Sequence, residues 1–285
     1  MASNGDSHTA TDTSDVRHAG PVTEPGGNDQ GAISGATGLG WRDRVAGKGG
    51  WAPAALGEDL HKLELQFVPA WLRPTDAENR IPAAIAILVA VLLQLTVPTK
   101  YGLHPRWLLP SLEVALLVVL TALNPVRLSR RTKLGKYTAL LVVAVISLDN
   151  SVSAVLLDYD ITRGKASQDA IGLLTSGAAI YLTNIIAFGL WYWELDRGGP
   201  FARAAGSRPH PDFLFPQMST PEVAPRDWEP RFLDYLYVSF TNVVAFSPTD
   251  TMPLTRGAKA LMAVQSLVAL STIGLVVARA VNVLK

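Results

Sequence analysis

Apolar residues in this chain gather into successive runs of roughly 18 to 25, the length that carries an α-helix across a hydrocarbon layer about 30 Å thick at about 1.5 Å per residue. One such run fits the core of a soluble protein; a succession of them defines a membrane protein. With 48% hydrophobic residues and a formal net charge of +1, the chain has little polar surface with which to coat a soluble core. The near-neutral charge also removes the electrostatic case for nucleic acid as a partner. Cysteine is absent, which excludes disulfides and thiolate metal sites.

Hydropathy predicts membrane helices over Ile81 to Val97, Trp107 to Leu123, Tyr137 to Leu157, Ala170 to Trp193 and Ala258 to Leu284. Pro82, Pro98, Asn124-Pro125, Gly164 and Gly198-Gly199-Pro200 punctuate them. Trp107, Trp191, Tyr192 and Trp193 sit at helix ends, where amphipathic rings anchor at headgroups. Residues 1–58 are rich in Gly, Ser, Thr and Asp without an apolar run and predict a disordered tail. No basic start with a following apolar stretch marks a cleaved signal there, so targeting is expected from the later helices. Leu60, Leu63, Phe67 and Trp71 have the spacing of a short interfacial helix within 59–80. Residues 194–231 form a mixed-charge connector, and 232–285 a helix-turn-helix hairpin.

The densest basic stretch, Arg127 to Lys136, is expected on the cytoplasmic side, which places the N-terminus there too. The fourth helix then ends inside, whereas an ordinary pore loop re-enters from outside. A full crossing by Phe232 to Pro248 reconciles the charges, so six crossings are preferred to five plus a re-entrant loop.

Tyr237-Val238-Ser239-Phe240-Thr241-Asn242, then Asp250, then Leu254 to Leu261 resemble the pore helix, filter exit and inner-helix start of the two-transmembrane potassium channel family. In that alignment Ser247-Pro248-Thr249 stands where the family has Gly-Tyr-Gly. Pro248 lacks a backbone N–H and Ser247 and Thr249 resist positive φ, so a potassium filter is not expected. Phe188 to Pro200, Asp212 to Met218 and Phe246 to Arg256 also resemble a bacterial family of integral membrane proteins with no assigned activity. That resemblance implies a bacterial inner-membrane location and a helical fold, and nothing more.

Ionisable and amide side chains inside a bilayer are costly, which makes them functional candidates. Asp149 and Asn150 with Ser147 and Ser153, Asn184 with Thr183, and Gln265 with Ser266 lie within predicted spans, and Glu113 is a further acid. Converging, they form a polar pathway with Asp149 as cation or proton site; otherwise they hold helices together by hydrogen bonds of about 0.6 kcal/mol each. Asp250 either concentrates cations at a pore mouth or bonds the backbone of its own turn. Glu194, Asp196 and Arg197 are expected to pair with one another and with headgroups. The five histidines are dispersed and no nucleophile elbow or phosphate loop occurs, so neither enzyme nor cofactor is expected. The resulting expectation is an all-α polytopic transmembrane bundle of five to six crossings, with the lipid bilayer and further copies of itself as partners. Its function is passage of a small cation or solute, the alternative being a membrane scaffold that transports nothing.

Overall fold

The computed structural model describes residues 68–76, 78–103, 105, 107–123, 133–165, 169–244 and 250–283. The expectations for the tail, for most of the interfacial helix, for the basic loop up to Thr132 and for Ser247-Pro248-Thr249 lie outside the described residues. Of the interfacial helix, the described end is a single 3-10 turn at Ala70–Leu72.

Eight α-helices occur among the described residues: α1 (Ile81–Thr96), α2 (Leu108–Leu123), α3 (Lys133–Thr162), α4 (Ala170–Leu195), α5 (Pro200–Ala204), α6 (Pro216–Ser219), α7 (Phe232–Val244) and α8 (Arg256–Val283). Three segments are long and apolar enough to cross a membrane: Leu134–Thr162, Ala170–Gly198 and Arg256–Val283. The helices α1 and α2 are equally apolar, but with 16 residues each they extend about 24 Å. Local chemistry sets the ends. Pro82 occupies the first turn of α1, where its missing N–H costs nothing. Asp169 caps α4 by accepting from the amides of Ile171 and Gly172 at 3.1 and 3.0 Å.

Cross-helix contacts fix an up-and-down bundle with α4 at its centre. Gln94, late in α1, meets Glu113, early in α2. The Trp191 indole donates to Ser147 Oγ at 2.9 Å, which sets α3 antiparallel to α4. Gly177 lies against Val276 and Tyr192 against Gln265, so α8 is also antiparallel to α4. The core between these helices holds Ala86, Val142, Ile146, Leu190 and Tyr192. Outward faces are apolar instead of polar: on α1, Ile85, Leu88, Leu92 and Leu95 are 55, 44, 63 and 41% exposed. A stripe of that kind is the surface that hydrocarbon solvates and water does not.

The hairpin departs from the six-crossing expectation. α7 starts beside the C-terminal end of α4, where the Phe232 ring packs edge-on to Trp193 at 5.9 Å. It ends beside the middle of α4, where the Tyr181 hydroxyl donates to the Val243 carbonyl at 3.1 Å. Eight residues after the end of α7 the chain is back at the starting level: β2 (Met252–Pro253) pairs antiparallel with β1 (Phe213–Leu214), and the Leu254 amide donates to the Asp212 carbonyl at 2.8 Å. With 13 residues, α7 is about 20 Å long, too short to cross and long enough to reach mid-depth. The strand pair decides the path, because it draws the chain back before α8 departs.

Two of the expected interfacial aromatics also lie elsewhere. Trp107 is 65% exposed, but Tyr192 and Trp193 are 0 and 3% exposed and form part of the core.

Candidate functional site

Buried polar side chains occur inside the bundle on α1, α2, α3, α4 and α8. The Glu113 carboxyl on α2 has 0% exposure and accepts from the Gln94 amide on α1 at 3.2 Å through Oε1. Its Oε2 has no hydrogen-bond partner among the described residues. Asp149 on α3 is buried and close enough to interact electrostatically with Glu113. Asn150 and Ser153 continue the buried polar face of α3. Antiparallel helices step equally, so Ser153, six residues on from Ser147, is level with Ile185, six residues back from Trp191. Asn184 stands beside that level, 1% exposed, with neither amide atom bonded among the described residues; the Thr183 and Thr272 hydroxyls are in the same state. Unsatisfied buried amides and hydroxyls cost about 1–3 kcal/mol each and mark places where water or an ion would be held.

A second arrangement ties α7 to its neighbours and leaves nothing free. Gln265 of α8, fully buried, accepts from the Tyr192 hydroxyl at 2.5 Å and from the Asn242 amide at 2.9 Å. Its own amide donates to Ser239 Oγ at 2.6 Å and to the Ser239 carbonyl at 3.0 Å. Ser239 Oγ in turn donates to the Ile185 carbonyl at 2.6 Å. Gln265, expected in the pathway, is therefore a fastener between α4, α7 and α8.

The third polar group sits where α4 ends. Asp196 and Arg197 attract each other electrostatically but take their hydrogen bonds from different segments. Asp196 accepts from the Tyr235 hydroxyl at 2.6 Å and from the amides of Asp212 and Phe213 at 2.7 and 3.3 Å. Arg197, at φ +53°, donates through Nε to the Arg208 carbonyl at 2.7 Å and through Nη1 to the Trp71 carbonyl. Arg203 spans the knot, bonding the Trp193 and Asp196 carbonyls at 2.6 and 3.1 Å and meeting Glu78 at 3.4 Å. Burial lowers its affinity for a proton, but Tyr235, Glu78, Asp196 and Glu194 more than offset this and its pKa rises. Glu78 also accepts from the Trp193 indole at 2.8 Å and the Phe232 amide at 2.7 Å. Burial nevertheless raises the Glu78 pKa, with Arg203 and these donors pulling the other way. The knot seats the start of α7 and thereby sets how deep its far end reaches.

Of the residues singled out by sequence, Asp149, Asn150 and Asn184 are buried, Gln265 belongs to the fastener, and Asp250 is exposed near the start of α8. Gln94, Glu78, Arg203 and Tyr235 were not foreseen. Gln94 carried a signal, an amide inside an apolar run; the other three bond partners far away in sequence. No family model, curated protein or solved structure matches the chain.

Proposed function

We propose that this is a multi-pass protein of the bacterial inner membrane that passes a small monovalent cation or a proton. In this reading α1 to α4 and α8 make five crossings, the α1 and α2 ends lying within the interface, and the N-terminus is cytoplasmic. The half-crossing α7 dips in from the side on which α4 ends. One observation carries the proposal: α7 stops beside Tyr181, close along α4 to Thr183 and Asn184, whose buried polar atoms have no hydrogen-bond partner among the described residues. The C-terminal end of a helix carries about half a negative charge. Placed at mid-depth in low dielectric, with the buried acids Glu113 and Asp149 in the same bundle, it favours a cation, as half-helix ends do in transporters. Ser247-Pro248-Thr249 argues for an ion other than potassium, or for a proton moving between carboxyls. The exposed α7 stripe Leu233, Tyr237, Phe240 and Val244 is the face we assign to contact with further copies in a homo-oligomer.

Flux into proteoliposomes tests this. Wild-type protein is expected to dissipate a proton or sodium gradient in preference to a potassium gradient, with Asp149→Asn and Glu113→Gln each lowering the rate at least about tenfold; Asp250→Asn, at the exposed mouth, lowers it less. Absence of flux for all three ions rejects the proposal. The rival, a scaffold that transports nothing, draws support from the completeness of the Gln265 network, which holds α7 rigidly to α4 and α8.

A further inference from the structure

A cavity of about 90 Å³ opens between α1, α2, α3 and α4, at the end of the bundle where α1 and α3 begin and α2 and α4 finish. Its wall is hydrocarbon: Ile87, Leu117, Leu120, Val143 and Leu190 contribute to it. Its rim is charged, with Arg80 at the start of α1 and Glu194 near the end of α4. The cavity reaches the bundle surface beside Ile81, which is 50% exposed on the apolar outer face of α1. Neither Glu113 nor Asp149 lines it.

Arg80 is the informative residue. Its Nε and Nη1 are buried and have no hydrogen-bond partner among the described residues. The guanidinium lies over the Phe201 ring, 5.3 Å from its centroid. Burial lowers its proton affinity and the acids Glu194 and Glu78 restore part of it. A desolvated guanidinium with unbonded N–H groups is a donor for a phosphate oxygen, to which a charge-assisted bond is strong. The charged residues that line the cavity are Arg80 and Glu194, and Lys136 lies close enough to Glu194 to act on it. The neighbouring loop, Arg127 to Lys136, assigns this end to the cytoplasmic side, whose leaflet carries anionic lipids that basic pockets between helices bind.

We propose that this cavity is a binding site for one anionic phospholipid, with an acyl chain between α1 and α2 and its phosphate on Arg80. The site rests on the membrane reading but not on cation passage. An acyl chain displaces no ordered water from a wall of this composition, and the headgroup supplies an acceptor for the unbonded N–H groups of Arg80.

The test uses the full chain, purified in detergent and stripped of lipid, with thermal unfolding followed as phosphatidylglycerol or phosphatidylcholine of equal acyl length is added. Phosphatidylglycerol is expected to stabilise at a concentration about fivefold lower than phosphatidylcholine, the fold-change given by one basic residue near an anionic headgroup. Arg80→Gln is expected to erase that preference while retaining the phosphatidylcholine response. Ala84→Phe or Ala139→Leu, each filling the cavity, should remove the response to both lipids. Inorganic phosphate alone should not stabilise. Equal responses to the two lipids in wild type overturn the proposal, as does an undiminished preference in Arg80→Gln. Saturable stabilisation by phosphate that survives both cavity-filling variants reassigns Arg80 to a free anion. A flux-inactive protein that still prefers phosphatidylglycerol leaves this site standing and rejects only the transport reading.

Discussion

The hydroxyl of Tyr192 donates to the side-chain oxygen of Gln265 at 2.5 Å, and that oxygen also takes the Asn242 amide at 2.9 Å. One acceptor thus holds α4, α7 and α8 together. Gln265→Leu removes it and strands the Tyr192 hydroxyl and the Asn242 amide in the core. We expect a loss of about 2 kcal/mol, between the roughly 0.6 kcal/mol of an average intramembrane hydrogen bond and the cost of orphaned buried groups. Denaturant unfolding of the purified protein measures it. A Gln265→Leu protein as stable as wild type would remove the fastener role.

Where α4 meets α8, Gly177 leaves no room for a side chain. A Cβ there would stand 2.7 and 2.9 Å from the two methyls of Val276, closer than real packing allows. Small residues at helix crossings let backbones approach and gain van der Waals contact. Gly177→Ala is therefore expected to destabilise by about 1–3 kcal/mol. Val276→Ala in the same chain should recover at least half of that loss, because it removes the obstructing methyls. Additive losses in the double variant would show that the two residues do not share this contact.

Gly199 is required for a different reason. At φ +99° and ψ 173° it occupies a region almost confined to glycine, and a Cβ would stand 2.9 Å from the Glu194 carbonyl. That conformation starts α5 and brings Arg203 back across Trp193. Gly199→Ala should cost about 1–3 kcal/mol and loosen the seat of α7. Faster proteolysis in the connector, compared with Gly206→Ala at another positive-φ glycine, is the readout; equal resistance counts against it.

The helices were legible in the sequence because membrane crossing imposes one simple pattern. The start at Ile81 follows from Pro82 and that at Phe232 from the aromatic run, whereas the cap that starts α4, Asp169, was not singled out in the sequence. The depth of α7 was not legible. It depends on Phe213 pairing with Pro253 and on Glu78 receiving the Phe232 amide, contacts across about 40 and about 150 residues that no local pattern records. The charges Glu194, Asp196 and Arg197 showed the same limit. Their adjacency suggested mutual pairing, whereas across the left-handed turn at Arg197 the side chains of Asp196 and Arg197 bond different segments. Asp149 and Asn184 were visible as costly groups within apolar runs; that Gln94 would bond Glu113 needed the antiparallel register of α1 and α2.

Glu78 gives the knot a pH dependence. Its pKa is raised above the usual 4.5, mainly by burial. The folded state therefore keeps its proton over an interval in which the unfolded chain has lost it. Stability from this group is complete below about pH 4.5 and declines as pH rises to the folded pKa, beyond which the cost of a buried charge is fully present. Glu78→Gln should flatten that decline in melting temperature. A decline unchanged in the variant would assign it to another group.

Cysteine labelling discriminates between the half-crossing helix and a full crossing, and the chain has no native cysteine to interfere. Arg208 and Asp250 are exposed, and Leu254 beside the second bonds Asp212 beside the first. Both therefore belong to the end of the bundle at which α4 finishes. A full crossing by α7 would put them on opposite faces of the membrane. The half-crossing arrangement puts Arg208→Cys and Asp250→Cys on the same face, with Lys165→Cys, between α3 and α4, on the other. An impermeant maleimide applied to intact spheroplasts should thus label Lys165→Cys alone if the basic loop is cytoplasmic. Labelling of Asp250→Cys but not Arg208→Cys would restore the sixth crossing and remove the helix end from the buried polar groups, and with it the case for cation passage.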